Sequence, residues 1–246
     1  MPVEFETKYV ESGVCSGNFV FRIKRTAATA VVVFFSGDIS DFSSGNLSYN
    51  LCISLPSYKF SLENICWSLA AHIGPLHDIL LVRPCFIRNG YAIYSNFALC
   101  DSFGTPKWEQ MHASGRYQSG ETLLWILSVF ETPEFSYNSV ILVGFSKGCV
   151  PILSILFEGN SRLFERIEKI VLIDPGTCGK TFPPPFTCDI PMRIYVTPYQ
   201  EKEKKGIEEF VSKSTNCSIY EILTELPSLE NHFKAITVGL NNENIP

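Results

Sequence analysis

One run of this chain constrains its fold more than any other. Ala30 to Phe35 is an unbroken apolar, β-branched segment that stops abruptly at Ser36-Gly37-Asp38. A continuous run of this length belongs to a strand buried on both faces, because a strand with one wet face alternates apolar and polar residues. Ile79 to Val82 reads the same way and is stopped by Arg83-Pro84. Further strands are expected at Phe19 to Arg25, Ser139 to Val143, Lys169 to Ile173, Arg193 to Thr197 and Ser218 to Leu223. Helical spacing fills the gaps: Leu62 to Ile73 behind a Ser61 N-cap, Gly120 to Phe130, Cys149 to Phe157, Glu203 to Lys213 and Glu230 to Val238. Alternating strands and helices imply an α/β fold, with a mostly parallel central sheet flanked by helices. Such sheets bind ligands beyond the carboxyl ends of their strands.

The stretch from Cys85 to Tyr117 breaks the alternation. It is rich in aromatics, Asn, Ser and Gly and has no clear period, so it reads as a long insertion acting as a lid or binding loop. With no repeat or low-complexity linker, residues 1–246 are expected to form a single domain. Hydrophobic residues make up 46% of the chain, which supplies a sizeable core and excludes global disorder. The net charge of -5 is spread over interspersed acids and bases, which argues against nucleic acid as a partner. The mixed run Glu201-Lys202-Glu203-Lys204-Lys205 reads as a solvated helix start. No apolar run reaches membrane-spanning length. The nine cysteines form no Cys-x-x-Cys pair and read as free thiols of a reducing compartment. No metal site is expected, because His and Cys are not clustered at ligand spacing, and no glycine loop suited to a phosphate-bearing cofactor is present.

Gly144-Phe145-Ser146-Lys147-Gly148 falls between a buried strand and an apolar helix. That is the setting of a nucleophile elbow, in which a sharp turn aims a serine hydroxyl at the mouth of the sheet and small flanking residues let neighbouring backbone approach. A nucleophilic serine needs a base and an orienting acid, in the chain order Ser, acid, His on this fold. Of His72, His77, His112 and His232, only His232 follows Ser146. Asp174, directly after the strand Lys169 to Ile173, is the favoured acid and Glu201 the alternative. At the later strand end, where acids more often sit, the chain has Pro198, Tyr199 and Gln200 first, and an amide cannot carry the charge. The oxyanion hole would draw backbone N–H groups from Lys147 and from Gly37 or Asp38, with Asp38 turned away or paired with Lys147.

Three segments also carry a resemblance to a known family. They are Gly144 to Val150, Val196-Thr197-Pro198-Tyr199-Gln200 and Ser228-Leu229-Glu230-Asn231-His232-Phe233. With weaker matches at Ser61 to Asn64, at Tyr94-Ser95-Asn96-Phe97 and at Phe103-Gly104, the chain from about residue 30 to 235 resembles a metazoan α/β-hydrolase-like family. The human member of that family is a mitochondrial protein encoded on chromosome 2. The resemblance implies a serine-hydrolase-like fold, with Ser146, Asp174 and His232 at matching positions, and a mitochondrial location, cytoplasm being the alternative. The chain departs from the family pattern after Asp174, where Pro175-Gly176-Thr177 replaces a Gly-Gly-His turn; this concentrates the base's role on His232. The start of the chain lacks the features of a presequence.

Two functions follow. One is a serine hydrolase that cleaves an ester, thioester or amide of a small-molecule or acyl substrate through an acyl-enzyme, without a cofactor, its acyl site lined by the insertion and by Pro183-Pro184-Pro185-Phe186. The other is a catalytically inactive hydrolase-fold protein acting as a binding or regulatory module. A transferase using the same elbow is not separable from the first by sequence.

Overall fold

A computed structural model of the protein describes residues 10–15, 17–25, 28–37, 53–55, 58–60, 73–74, 76–88, 91–114, 118–176, 189–198, 201–212, 214–222 and 229–243. Most of the expected helix Leu62 to Ile73, the segment Pro183 to Phe186, Asp38 and Gln200 lie outside the described residues.

The strands are β1 (Val10–Cys15), β2 (Asn18–Ile23), β3 (Ala30–Phe35), β4 (Ile53–Leu55), β5 (Tyr58–Phe60), β6 (His77–Val82), β7 (Phe86–Arg88), β8 (Tyr91–Ile93), β9 (Ser139–Phe145), β10 (Ile167–Ile173), β11 (Met192–Val196) and β12 (Cys217–Glu221). The helices are α1 (Trp108–Ser114), α2 (Ser119–Phe130), α3 (Cys149–Glu158), α4 (Ser161–Phe164), α5 (Glu201–Ser212) and α6 (Leu229–Glu243). Eight strands form one sheet in the order β1-β2-β6-β3-β9-β10-β11-β12. From β6 to β12 every neighbouring pair is parallel, and β1 and β2 close one edge in antiparallel fashion.

The apolar runs become central strands because they serve two cores at once. Val31, Val33 and Phe35 face one core while Val32 and Phe34 face the other, and Leu80 and Val82 divide from Ile79 and Leu81 in the same way. The first core takes Ile152, Leu153 and Leu156 of α3 with Ile207 and Phe210 of α5; the second takes Ala235, Ile236 and Leu240 of α6. Each such side chain contributes about 1.5–3 kcal/mol on burial, so the strand ends that project beyond this double core are held firmly.

β3 lies between β6 and β9. The chain leaves β3 toward one side, makes β6, and later returns to the other side of β3 as β9. Where connections diverge like this, a crevice opens beyond the carboxyl ends of the two strands. Those ends are Gly37 and Ser146.

Two polar clusters fix the frame. At the amino end of the parallel strands, Asp78 accepts from Arg22 Nε (3.0 Å) and Nη2 (2.8 Å), from the Arg25 amide (2.7 Å) and from the Tyr137 hydroxyl (2.6 Å). Burial, reinforced by the hydrogen bond to Asp78, pushes the Tyr137 hydroxyl far above its usual range and keeps it a neutral donor. At the far end of α6, Glu243 accepts from the Tyr195 hydroxyl at 2.5 Å and pairs with Lys169 and with Arg193.

Two expectations are refined. The strand at Phe19 to Arg25 is one arm of a hairpin with β1, whose Val-Glu-Ser-Gly-Val-Cys sequence carries too little alternation to be read as a strand. The insertion is less irregular than its composition suggests: it holds the β7–β8 hairpin and α1. Its aromatics dock on the end of β3, where Phe97 and Tyr94 meet Phe35 edge-on at 5.3 and 6.0 Å between centroids. The Tyr94 hydroxyl donates to the Ser36 carbonyl at 2.5 Å. Aromatic packing hides from a periodicity reading because its contacts are distant in sequence.

Candidate active site

β9 runs extended through Phe145, a single 3-10 turn spans Ser146–Gly148, and α3 begins at Cys149. Ser146 has φ 52° and Asp174 has φ 45°; among the described residues they are the only non-glycine residues at positive φ. That region costs an L-residue free energy, and such strain persists where surrounding structure over-determines it, commonly at functional sites. Both sit at equivalent places, since Phe145 and Ile173 are register partners on adjacent parallel strands. The turn closes tightly. A Cβ on Gly148 would lie 2.0 Å from the Phe35 carbonyl oxygen, and one on Gly37 would lie 2.6 Å from the Ser146 Cβ. Glycine at both places is therefore a packing requirement, and it brings the end of β3 against the serine.

Asp174 is fully buried and its carboxylate is saturated. Oδ1 accepts from the Thr197 amide at 2.8 Å, and Oδ2 accepts from the Thr197 hydroxyl at 2.5 Å and from His232 Nδ1 at 2.6 Å. The Asp174 amide donates to the Tyr195 carbonyl at 2.7 Å, and the Gly176 amide donates to the Ser146 carbonyl at 3.1 Å, tying the two strained turns together. His232, in the first turn of α6, is 4% exposed. Its ring lies 4.6 Å from the Phe145 ring at 33°, immediately before Ser146 in the chain. With Nδ1 committed to a carboxylate, Nε2 is the nitrogen that would exchange a proton with a neighbour.

The remaining sequence candidates fall as follows. Lys147 is 3% exposed, and its Nζ donates to the Gly104 carbonyl of the insertion at 3.3 Å. Asp38, expected either to turn away or to pair with Lys147, is outside the described residues. Glu201 opens α5, two residues before the expected start of that helix. His77 is buried at the amino end of β6, away from Ser146 at the carboxyl end of β9. His112 lies on α1 rather than in a loop. The adjacent Cys149 is no rival nucleophile: complete burial pushes its thiol well above the usual range, so it stays protonated at neutral pH. Cys15, Cys85, Cys100, Cys149 and Cys217 are free thiols. Among the described residues no group of His, Cys, Asp and Glu could hold a metal ion, and no helix is long and apolar enough to cross a membrane. Thr197 is the site residue that the sequence reading left unassigned. Its signal is position alone, as the first residue beyond β11, next to the strand bearing Asp174.

The strand order, two-faced core and polar strand ends define the α/β-hydrolase fold, and solved structures of that fold match more than nine-tenths of the chain. A Bacillus cereus carboxylesterase matches with 14% identity over 92% of this chain and 94% of its own, TM-score 0.54. The thermostable carboxylesterase EstE1, from a metagenomic library, gives 11%, 96%, 87% and 0.55. A hormone-sensitive lipase from a metagenome library gives 12%, 96%, 84% and 0.51. At these identities the likeness is one of fold. In sequence, residues 19–127 match the family model described as C2orf69. No curated protein matches the chain in sequence.

Proposed function

We propose that the protein is a serine hydrolase acting on an ester, thioester or amide of an acyl substrate through an acyl-enzyme. The observation that carries this reading is the coincidence of strained Ser146 and strained Asp174 at neighbouring strand ends, with His232 bonded to Asp174 and its ring tilted against Phe145. In this reading the Ser146 hydroxyl adds to the substrate carbonyl carbon and its proton passes to His232 Nε2. The Asp174 carboxylate fixes the imidazole tautomer through Nδ1 and stabilises the imidazolium. The oxyanion is received by the backbone N–H of Lys147 and by that of Gly37 or Asp38. His232 then returns the proton to the leaving group. Water attacks the acyl-enzyme by the same route, releasing the acid and restoring the serine.

Asp174 is preferred to Glu201 as the acid because its carboxylate meets the imidazole at hydrogen-bond distance. The hydrolase-fold likeness supports the chemistry by analogy only, since one fold hosts many functions. A fluorophosphonate probe tests the reading. Labelling of the wild type that disappears in Ser146→Ala is the expected result; a folded wild type that resists labelling favours the inactive binding module. Mitochondrial residence is proposed from the C2orf69 resemblance, and fractionation of cells expressing the full chain, with protease protection of the organelle fraction, tests it.

A further inference from the structure

The insertion contains one turn built more stiffly than its position requires. Asp101 Oδ1 accepts from the amides of Phe103 (2.8 Å) and Thr105 (3.0 Å). The Asp101 amide donates to the Thr105 carbonyl at 3.0 Å, and the Gly104 amide donates to the Asp101 carbonyl at 3.2 Å. Gly104 closes the turn at φ 71°. Partial burial pushes the Asp101 carboxyl upward, but the Thr105 and Phe103 donors and the Lys147 ammonium outweigh it and hold the group below its ordinary value.

This stiff turn displays a half-exposed apolar ring. Phe103 is 51% exposed, and its ring meets that of Tyr91 edge-on, 5.7 Å away at 79°. Two observations bring the segments that carry the pair to the 3-10 turn of Ser146. The Gly104 carbonyl takes the Lys147 ammonium, so Phe103 stands within one lysine side chain of the 3-10 turn. Independently, β8, which Tyr91 begins, packs against that same turn. Burying the Lys147 ammonium has a cost that the Gly104 carbonyl and the Asp101 carboxylate offset, and both belong to the turn bearing Phe103. The exposed ring is thus clamped to the backbone that would carry the oxyanion donor.

The geometry points to Phe103 and Tyr91 as a fixed apolar wall that receives the chain of the acyl group, making the substrate a medium-chain or aromatic acyl compound rather than an acetyl one. This rests on the serine-hydrolase reading. A rigid ring loses little conformational freedom when a chain packs on it, so selectivity should arise without movement of the insertion. The test compares kcat/KM for p-nitrophenyl octanoate and p-nitrophenyl acetate in the wild type, Phe103→Ala and Phe103→Leu, with fluorophosphonate labelling in parallel. The octanoate-to-acetate ratio should fall about tenfold in Phe103→Ala, equivalent to about 1.4 kcal/mol, and less than about threefold in Phe103→Leu, which keeps an apolar surface. A ratio within about twofold of wild type in a labelled Phe103→Ala protein overturns the wall and leaves the hydrolase reading standing. A wild type that hydrolyses acetate but not octanoate overturns the wall as well. A folded wild type with neither labelling nor hydrolysis overturns both.

Discussion

Asp78 and Asp174 are both buried carboxylates at strand termini of the same sheet, and they lie at opposite ends of it. Asp78, at the amino end, is met by the Arg22 guanidinium, a tyrosine hydroxyl and a backbone amide. Its main partner stays charged at any accessible pH, so the group is locked. Asp174, at the carboxyl end, is met by the amide and hydroxyl of a threonine and by an imidazole nitrogen. Asp174 is also strained, and Asp78 is not among the residues at positive φ. The first cluster holds the frame, and the second is the one the proposed reading assigns to proton transfer. The sheet's own polarity decides which is which, because its crevice lies beyond the carboxyl ends.

The contrast can be broken by substitution. Ser146→Ala should abolish probe labelling and lower kcat/KM by on the order of 10⁴ or more, with the melting temperature within a few degrees of wild type. Asp174→Asn should come next, lowering kcat by roughly 10³–10⁴ while the far-UV circular dichroism and thermal transition stay near wild type. If Asp174→Asn instead unfolds the protein without a separate loss of activity at low temperature, the two carboxylates do the same job and the comparison fails.

Asp78→Ala should show the reverse pattern. It strands a buried guanidinium, which costs about 3–5 kcal/mol of stability, read by urea denaturation, while the folded fraction retains most of its turnover. Tyr137→Phe is the mildest. It removes one hydrogen bond to Asp78 and should cost about 0.5–1.5 kcal/mol without altering the ratio of labelled to folded protein. A Tyr137→Phe protein with wild-type stability would mean that the arginine alone sustains the cluster.

Much of the frame was legible in the sequence because burial on both faces leaves an unambiguous signature. Ala30 to Phe35 could be nothing but a central strand, and β9, β10 and β11 followed from similar runs. The motif around Ser146 was readable because its glycines answer a local demand: any Cβ on Gly148 would collide with the Phe35 carbonyl oxygen. The contact between Asp174 and His232 spans 58 residues and was approached through strand-end position, chain order and the family resemblance, none of which reads a contact directly. Thr197 went unassigned, since a threonine at a strand end looks like any other. The ammonium of Lys147 reaches the carbonyl of Gly104, 43 positions away, a contact that no local pattern announces. The edge strand β1 was missed because an antiparallel edge needs no apolar run.

The strand order also bears on how the molecule comes into being. Ribosomal synthesis delivers β3 early, yet its neighbour β9 emerges only after the whole insertion, and the helix bearing His232 emerges after every strand of the sheet. Domains fold as units as they leave the ribosome. The seat of the serine is therefore completed from segments made far apart in time, and the imidazole is the final piece to arrive. On the serine-hydrolase reading, a nascent or prematurely terminated chain would present Ser146 without its partner, and reactivity would wait until translation has passed α6.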